Sequence, residues 1–269
     1  MIRNIFFLVF TVTLTFSCSS VPVTGRNQLI LFESSEMQAM SYQQYDDFLK
    51  EHKVVNGTAD AQMIKKVGAR IQKAVEAYMA EKGLSDKLAG FNWEFNLVED
   101  DLVNAWCMPG GKVVFYTGIL PVCKGEEGVA IVMGHEVAHA IARHGAERMS
   151  QQTVAQGLAQ GVGVATMSKS PEYQAIFNTA FGAGTQLGML SFSRQHESEA
   201  DRIGLVFSSM AGYDPRVAPE FWKRMAEMSG GGAPPEFLST HPSHDTRISD
   251  LTKQLPEAIK IYDQNKGKQ

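Results

Sequence analysis

Three cysteines in 269 residues, at positions 18, 107 and 123, are too few to build a disulfide framework. Cys107 and Cys123 could pair or stay as two buried thiols, and their spacing does not decide between these. An excess of charge of one sign is also missing. Twenty-five basic and 29 acidic residues give a net charge of −4, with no long basic run, so nucleic-acid binding is not expected. No tetratricopeptide repeat is present, so a built-in adaptor for an assembly machine is not expected either. Long apolar runs are scarce too. The run from Ile5 to Phe16 is twelve residues, too short for a stable bilayer span. A second stretch, AIFNTAFGAGTQLGMLSF, is 18 residues long but carries Asn178, Thr179, Thr185 and Gln186. It belongs to a Gly/Ala-rich section, 153–192, that reads as helices packed on or gating a cleft rather than crossing lipid.

What the chain does have is GHEVAHAIARHG. His135, Glu136 and His139 spell H-E-x-x-H, and the apolar residues Val129 to Met133 before it predict a buried helix running through the motif. At 3.6 residues per turn, histidines four apart project from one face and can reach a single ion. Glu136 is then placed to act on water at that ion. A catalytic zinc uses three protein ligands and keeps a fourth position open, so a third ligand must come from elsewhere. His144 falls nine residues after His135, one short of the metzincin spacing, and Ala142 stands where that pattern has its glycine. His144 is therefore expected along the same helix, on its exposed side or as a local hydrogen-bond partner.

The third ligand is sought in SRQHESEADR. Glu197 and Asp201 are four apart on one predicted helix face, whereas Glu199 points elsewhere by about 200° at roughly 100° per residue. Metal-bound histidines commonly hand their second ring N–H to a carboxylate. Glu197 is accordingly assigned to the metal and Asp201 to the support of a ligand histidine. Ala200 keeps the surface between them low for close helix packing, and Glu199 and His196 are expected at the surface.

Together, HEVAHAIARH and SRQHESEADRIGL resemble the HtpX-like, prenyl-protein-protease-like zinc metallopeptidases. The resemblance extends through NAWCMPGG, AGYDP and STHPSHDTRI. It implies a mostly helical α+β, zincin-like (gluzincin) domain with a small antiparallel sheet beside the active-site helix. It implies one Zn2+ on His135, His139 and Glu197, with Glu136 as catalytic acid and base. It also places His241 near the metal, either capping the ion at rest or stabilising the transition state. Apart from the resemblance, His241 or Arg247 could donate to the developing oxyanion. An edge strand around Asn104 and Ala105 would pair with extended substrate.

The first residues resemble a bacterial lipoprotein leader. This gives an expected signal peptide at 1–17, lipidation at Cys18, an anchor and linker at 18–28, and a metallopeptidase domain at 29–269. With it comes an expected location in the bacterial envelope, facing the periplasm and favouring the outer membrane. The implied activity is endopeptidase cleavage of misfolded envelope polypeptides. A non-catalytic anchored chaperone and a zinc aminopeptidase are the alternatives.

Of the rest, apolar periodicity predicts helices over 34–52 and 58–82, the latter with Ile64, Val67, Ile71, Val75 and Tyr78 as its core stripe. Alternation predicts a half-buried strand over 91–98. Pro109-Gly110-Gly111 predicts a hairpin turn joining 102–108 to 112–116. From Gly125 onward the pattern is helical, apart from a Gly/Pro loop at 231–235 expected to act as a lid.

Overall fold

The computed structural model describes residues 18–160, 175–177, 192–228, 236–241 and 246–268. The expected signal peptide, the expected lid and most of the Gly/Ala-rich section from 161 to 191 lie outside them. Among the described residues no helix is long and apolar enough to cross a membrane.

Helix α1 (Ser34–Glu51) buries Met37, Ser41, Tyr45 and Phe48 at helical spacing and turns its remaining faces to solvent. Helix α2 (Ala59–Glu81) starts where Thr58 accepts a hydrogen bond from the Ala61 N–H at 3.1 Å, which satisfies one of the free donors of the first turn. Of its predicted stripe, Ile64, Val67, Ile71 and Val75 are fully buried and Tyr78 is half-buried.

Between these helices lies a four-stranded sheet of β3 (Val54–Val55), β4 (Glu94–Val98), β5 (Ala105–Met108) and β6 (Lys112–Tyr116), in the order β3-β4-β6-β5. One face buries Leu97, Ala105, Val113 and Phe115 against α2 and the central helices. The other buries Val98, Trp106, Val114 and Tyr116 against Tyr45 and Phe48 of α1. The β5–β6 hairpin forms as expected, with Gly110 and Gly111 both at positive φ (87° and 85°), a conformation in which a Cβ would be strained. The sheet is mixed, which corrects the antiparallel expectation. After β4 the chain passes to the far edge as β5, and the hairpin returns β6 into the gap, parallel to β4. β5 is left as an edge strand.

Residues 18–28, expected as an anchor and linker, belong to a second small sheet in which β1 (Cys18–Ser20) pairs antiparallel with β2 (Asn27–Leu29). Val21 between them is buried in the main core. This N-terminal hairpin is thus part of the folded body. Cys107 and Cys123 are free thiols.

After the short α3 (Leu120–Cys123), helix α4 (Glu126–Ile141) carries the H-E-x-x-H motif and is buried on nearly every face from Gly128 to Ile141. It stops sooner than expected. Ala142 closes it and Arg143 takes a left-handed conformation (φ 57°), so His144 opens a new helix, α5 (His144–Gln160). Helix α6 (Arg194–Met210), capped by Ser193 accepting from the His196 N–H, carries Glu197 and Asp201. It is followed by α7 (Val217–Glu227), the one-turn α8 (Glu236–Thr240) and α9 (Arg247–Asn265).

Helices α4 and α6 cross backbone to backbone. A Cβ on Gly134 would sit 2.8 Å from the Gly204 carbonyl oxygen, and one on Gly204 would sit 2.8 Å from the His135 nitrogen. No side chain could yield there, because the opposing atoms are main chain. Gly204→Ala should therefore force the helices apart, lowering stability by about 1–3 kcal/mol in urea unfolding and weakening metal retention together. Wild-type stability with wild-type metal content would show that the crossing tolerates a methyl group.

Candidate metal centre

The crossing sets His135 and His139 of α4 opposite the first turn of α6. The two Nε2 atoms are 3.1 Å apart. Glu197 reaches between them, with Oε2 3.4 Å from His135 Nε2 and Oε1 3.4 Å from His139 Nε2. The end of α8 delivers His241, whose Nδ1 lies 3.0 Å from Glu197 Oε1 and 3.3 Å from His135 Nε2. One donor atom from each of the four residues falls within 4.8 Å of the others, and all four residues are buried. A tetrahedral zinc with bonds of about 2.0–2.1 Å has donor-to-donor edges of about 3.3–3.4 Å. The separations given above, from 3.0 to 3.4 Å, lie at those edges or a few tenths of an ångström below them.

The charges fit as well. Burial raises the Glu197 carboxyl, but His241 and Arg247 more than offset this and hold it well below the usual carboxylate range, hence ionised. Burial drives His139 well below its ordinary value, leaving a neutral ring with a free lone pair. His135 is lowered by burial but raised further by Asp201 and Glu197, so it ends above its usual value. Three imidazoles and one carboxylate are a zinc donor set.

Around this cluster the expected residues fall as follows. Asp201 Oδ1 lies 2.9 Å from His135 Nδ1, on the side of the ring away from the cluster. Glu136 is buried, and burial pushes its pKa up to about 7, partly offset by His241. Its Oε1 is 3.5 Å from His241 Nε2 and has no hydrogen-bond partner among the described residues. Arg247 is fully buried with its guanidinium 3.2 Å above the centroid of the Trp222 ring. Its Nη1 pairs with Glu197 Oε2 at 2.9 Å, and its Nε and Nη2 each donate to Asp201 at 2.8 Å. These engagements make Arg247 a counter-charge for the two carboxylates rather than a free donor to a reacting oxygen.

Asn104 and Ala105 are buried at the start of the edge strand β5. The Asn104 carbonyl accepts from Tyr116 N–H at 3.2 Å, so by the alternation of an antiparallel ladder the backbone groups of Ala105 and Cys107 turn toward the open edge. The Asn104 side chain takes the Ala105 N–H at 2.9 Å. Glu136 and β5 are close enough that the Glu136 charge, added to burial, raises the Cys107 thiol.

For three residues an exposed placement is corrected here, while the alternative for His144, a local hydrogen-bond partner, is what the structure shows. His144 is buried at the head of α5, with Nδ1 3.0 Å from His139 Nδ1 and Nε2 3.0 Å from Glu199 Oε2. Glu199 and His196, expected at the surface, are buried as well. Glu199 meets Thr24 and Arg26, and His196 Nε2 lies 3.2 Å from Glu147 Oε2. The wet side of the first turns of α6 is the narrow one of Gln195, Ser198 and Arg202, and Thr24 and Arg26 of the N-terminal hairpin cover Glu199. No local pattern marks these partners, since Arg26 stands 173 residues from Glu199 and 121 from Glu147.

The fold brings together a donor cluster that fits one zinc ion. Residues 65–255 match peptidase family M48, and the chain belongs to that family. It is 39% identical over 189 residues to the mitochondrial metalloendopeptidase OMA1 of Schizosaccharomyces pombe, covering 70% of this chain and 53% of the relative. It is 38% identical over 201 residues to OMA1 of Saccharomyces cerevisiae, covering 72% and 56%. Against the beta-barrel assembly-enhancing protease of Escherichia coli it is 35% identical over 163 residues, covering 59% and 33%. The chain thus spans about half the length of the first two relatives. The expected location in a bacterial envelope is corrected by these matches. The OMA1 proteins that align over 70% and 72% of the chain are mitochondrial, and the bacterial match is shorter.

Arg247 yields a direct prediction. Arg247→Met leaves Glu197 and Asp201 buried against each other without their cation, which should cost about 3–5 kcal/mol in urea unfolding of the zinc-free protein. Adding Asp201→Asn should recover part of that loss. An unchanged unfolding midpoint in the single variant would remove the counter-charge role.

Proposed function

We propose that the chain is a zinc metalloendopeptidase that cleaves internal peptide bonds of misfolded polypeptides at a membrane. The observation that carries this reading is the placement of Glu136, a buried carboxyl poised near 7, beside a donor set of His135, His139 and Glu197 and facing an open strand edge. When bound there, zinc supplies Lewis acidity, polarising the scissile carbonyl and acidifying a water.

The remaining work falls to side chains. Glu136 takes the proton from the attacking water and returns it to the amine nitrogen as the C–N bond breaks; a pKa near the working pH suits both transfers. Substrate main chain adds to the edge of β5 through the Ala105 carbonyl and the backbone of Cys107, the Ala105 N–H being taken by Asn104, which holds peptides without demanding one sequence. A cavity of about 230 Å³ beside that edge, bordered by Cys107, Gly110, His139, Ile141 and Phe192, gives side chains of such a peptide room. His241 would help His135, His139 and Glu197 hold the ion at rest and, when free of it, would donate to the developing oxyanion, a reading supported by its contact with both Glu197 and Glu136.

Glu136→Gln should keep zinc and lower cleavage of an N-terminally blocked, internally quenched peptide by at least about 10²-fold. Near wild-type turnover would refute the role of Glu136, and cleavage confined to unblocked peptides would make the enzyme an aminopeptidase. Glu197→Ala should lose most zinc on dialysis, by metal analysis; full occupancy would move that ligand elsewhere. A chelator should abolish casein cleavage by the wild type. If no preparation cleaves casein yet all suppress aggregation of unfolded protein, the chain acts as a holdase.

A further inference from the structure

The two histidines of α4 are supported differently. His135 hands its Nδ1 directly to Asp201, the usual histidine–carboxylate arrangement. His139 meets no carboxylate at that position. Its Nδ1 faces Nδ1 of a second histidine, His144, at 3.0 Å, and the carboxylate stands one step further out, Glu199 Oε2 at 3.0 Å from His144 Nε2.

This chain has a definite direction. An ionised carboxylate only accepts, so His144 carries its proton on Nε2 and its neutral ring offers a lone pair at Nδ1. His139 must then donate from Nδ1, which leaves its Nε2 bare toward Glu197 and His135. Two successive hydrogen bonds thus set the tautomer a metal ligand needs.

Glu199 is in turn fixed by the N-terminal hairpin. Thr24 Oγ1 donates to its Oε1 and Arg26 Nε to its Oε2 at 2.8 Å. The other two nitrogens of Arg26 grip Glu147 of α5 at 2.8 and 2.7 Å. Glu147 also pairs with His196, whose ring stacks on His144 at 4.5 Å between centroids and 23° between planes. One arginine, from a hairpin at the start of the chain, therefore ties α5 to α6 behind His139.

We propose that His144 is a positioning residue for the ligand His139, and that the Arg26–Glu199 clamp of the N-terminal hairpin holds it, so that seating of the hairpin sets how tightly the site binds its metal. This rests on the reading of His139 as a ligand.

The test uses the full chain. Zinc affinity is measured by competition with a chromophoric chelator, and ligand geometry from the visible absorption bands of cobalt-substituted protein. His144→Phe should weaken zinc binding by about 10–100-fold and shift the cobalt bands. His144→Asn, whose amide oxygen can accept the His139 proton, should restore most of both. Arg26→Ala should move both readouts the same way, by less. Wild-type affinity and an unchanged cobalt spectrum in His144→Phe would overturn the proposal. If that variant does not fold, Arg26→Ala decides alone: wild-type values for both readouts would overturn the role of the hairpin. His139→Ala separates the two levels. Zinc affinity unaffected by His139→Ala would remove the ligand reading itself, whereas zinc lost in His139→Ala and kept in His144→Phe would remove only the inference drawn here.

Discussion

The close crossing of α4 and α6 at Gly134 and Gly204 is the constraint on which the rest depends. Each ligand helix presents bare backbone to the other, so their axes approach as far as main-chain atoms allow. Only at that separation can Glu197, a short side chain on α6, reach both Nε2 atoms of α4. Asp201, one turn on, reaches the reverse side of His135 for the same reason. Helix packing with larger residues at the contact spaces axes by 8–10 Å, and a glycine pair is the simplest way below that range. The distances at the cluster follow from the glycines more than from the ligands themselves.

Crowding so many ionisable groups into a dry interior raises the question of charge. Glu136, Glu197 and Asp201 are all buried within reach of one another, and isolated carboxylates in such a place would be strongly disfavoured. Two devices resolve this. Arg247 stacks on Trp222 and spreads its charge over Glu197 and Asp201. Glu136, with no cation so close, is instead pushed toward neutrality at about 7. Two neighbouring acids thus differ in protonation because one has the arginine and the other does not, a separation that suits one to holding charge and the other to exchanging protons.

Much of this was legible in the sequence wherever the relevant partners are near neighbours. The i, i+4 spacing of His135 and His139, the same spacing of Glu197 and Asp201, the buried stripe of α2 and the hairpin at Pro109-Gly110-Gly111 are local patterns with one geometric reading each. What was not legible depends on distant chain. The mixed sheet arises because β6 inserts between β4 and β5, and strand alternation carries no record of neighbours. The break at Arg143 has no proline or glycine at the position itself to announce it. Glu199 and His196 read as solvent-facing because a wheel drawn for α6 alone cannot know that the first residues of the chain return to cover it. For the same reason residues 18–28 read as a linker, since Arg26 and Thr24 show their purpose only beside Glu147 and Glu199.

The metal-site groups and their supports are spread in order along nearly the whole chain: Arg26, then His135 and His139, then Glu197 and Asp201, and last His241 and Arg247. A polypeptide emerging from the ribosome with its first two-thirds exposed already has both imidazoles of α4 but lacks the acid that joins them and the arginine that makes burying that acid tolerable. The four-residue donor cluster and its counter-charge are therefore complete only once α8 and α9 have joined α4 and α6.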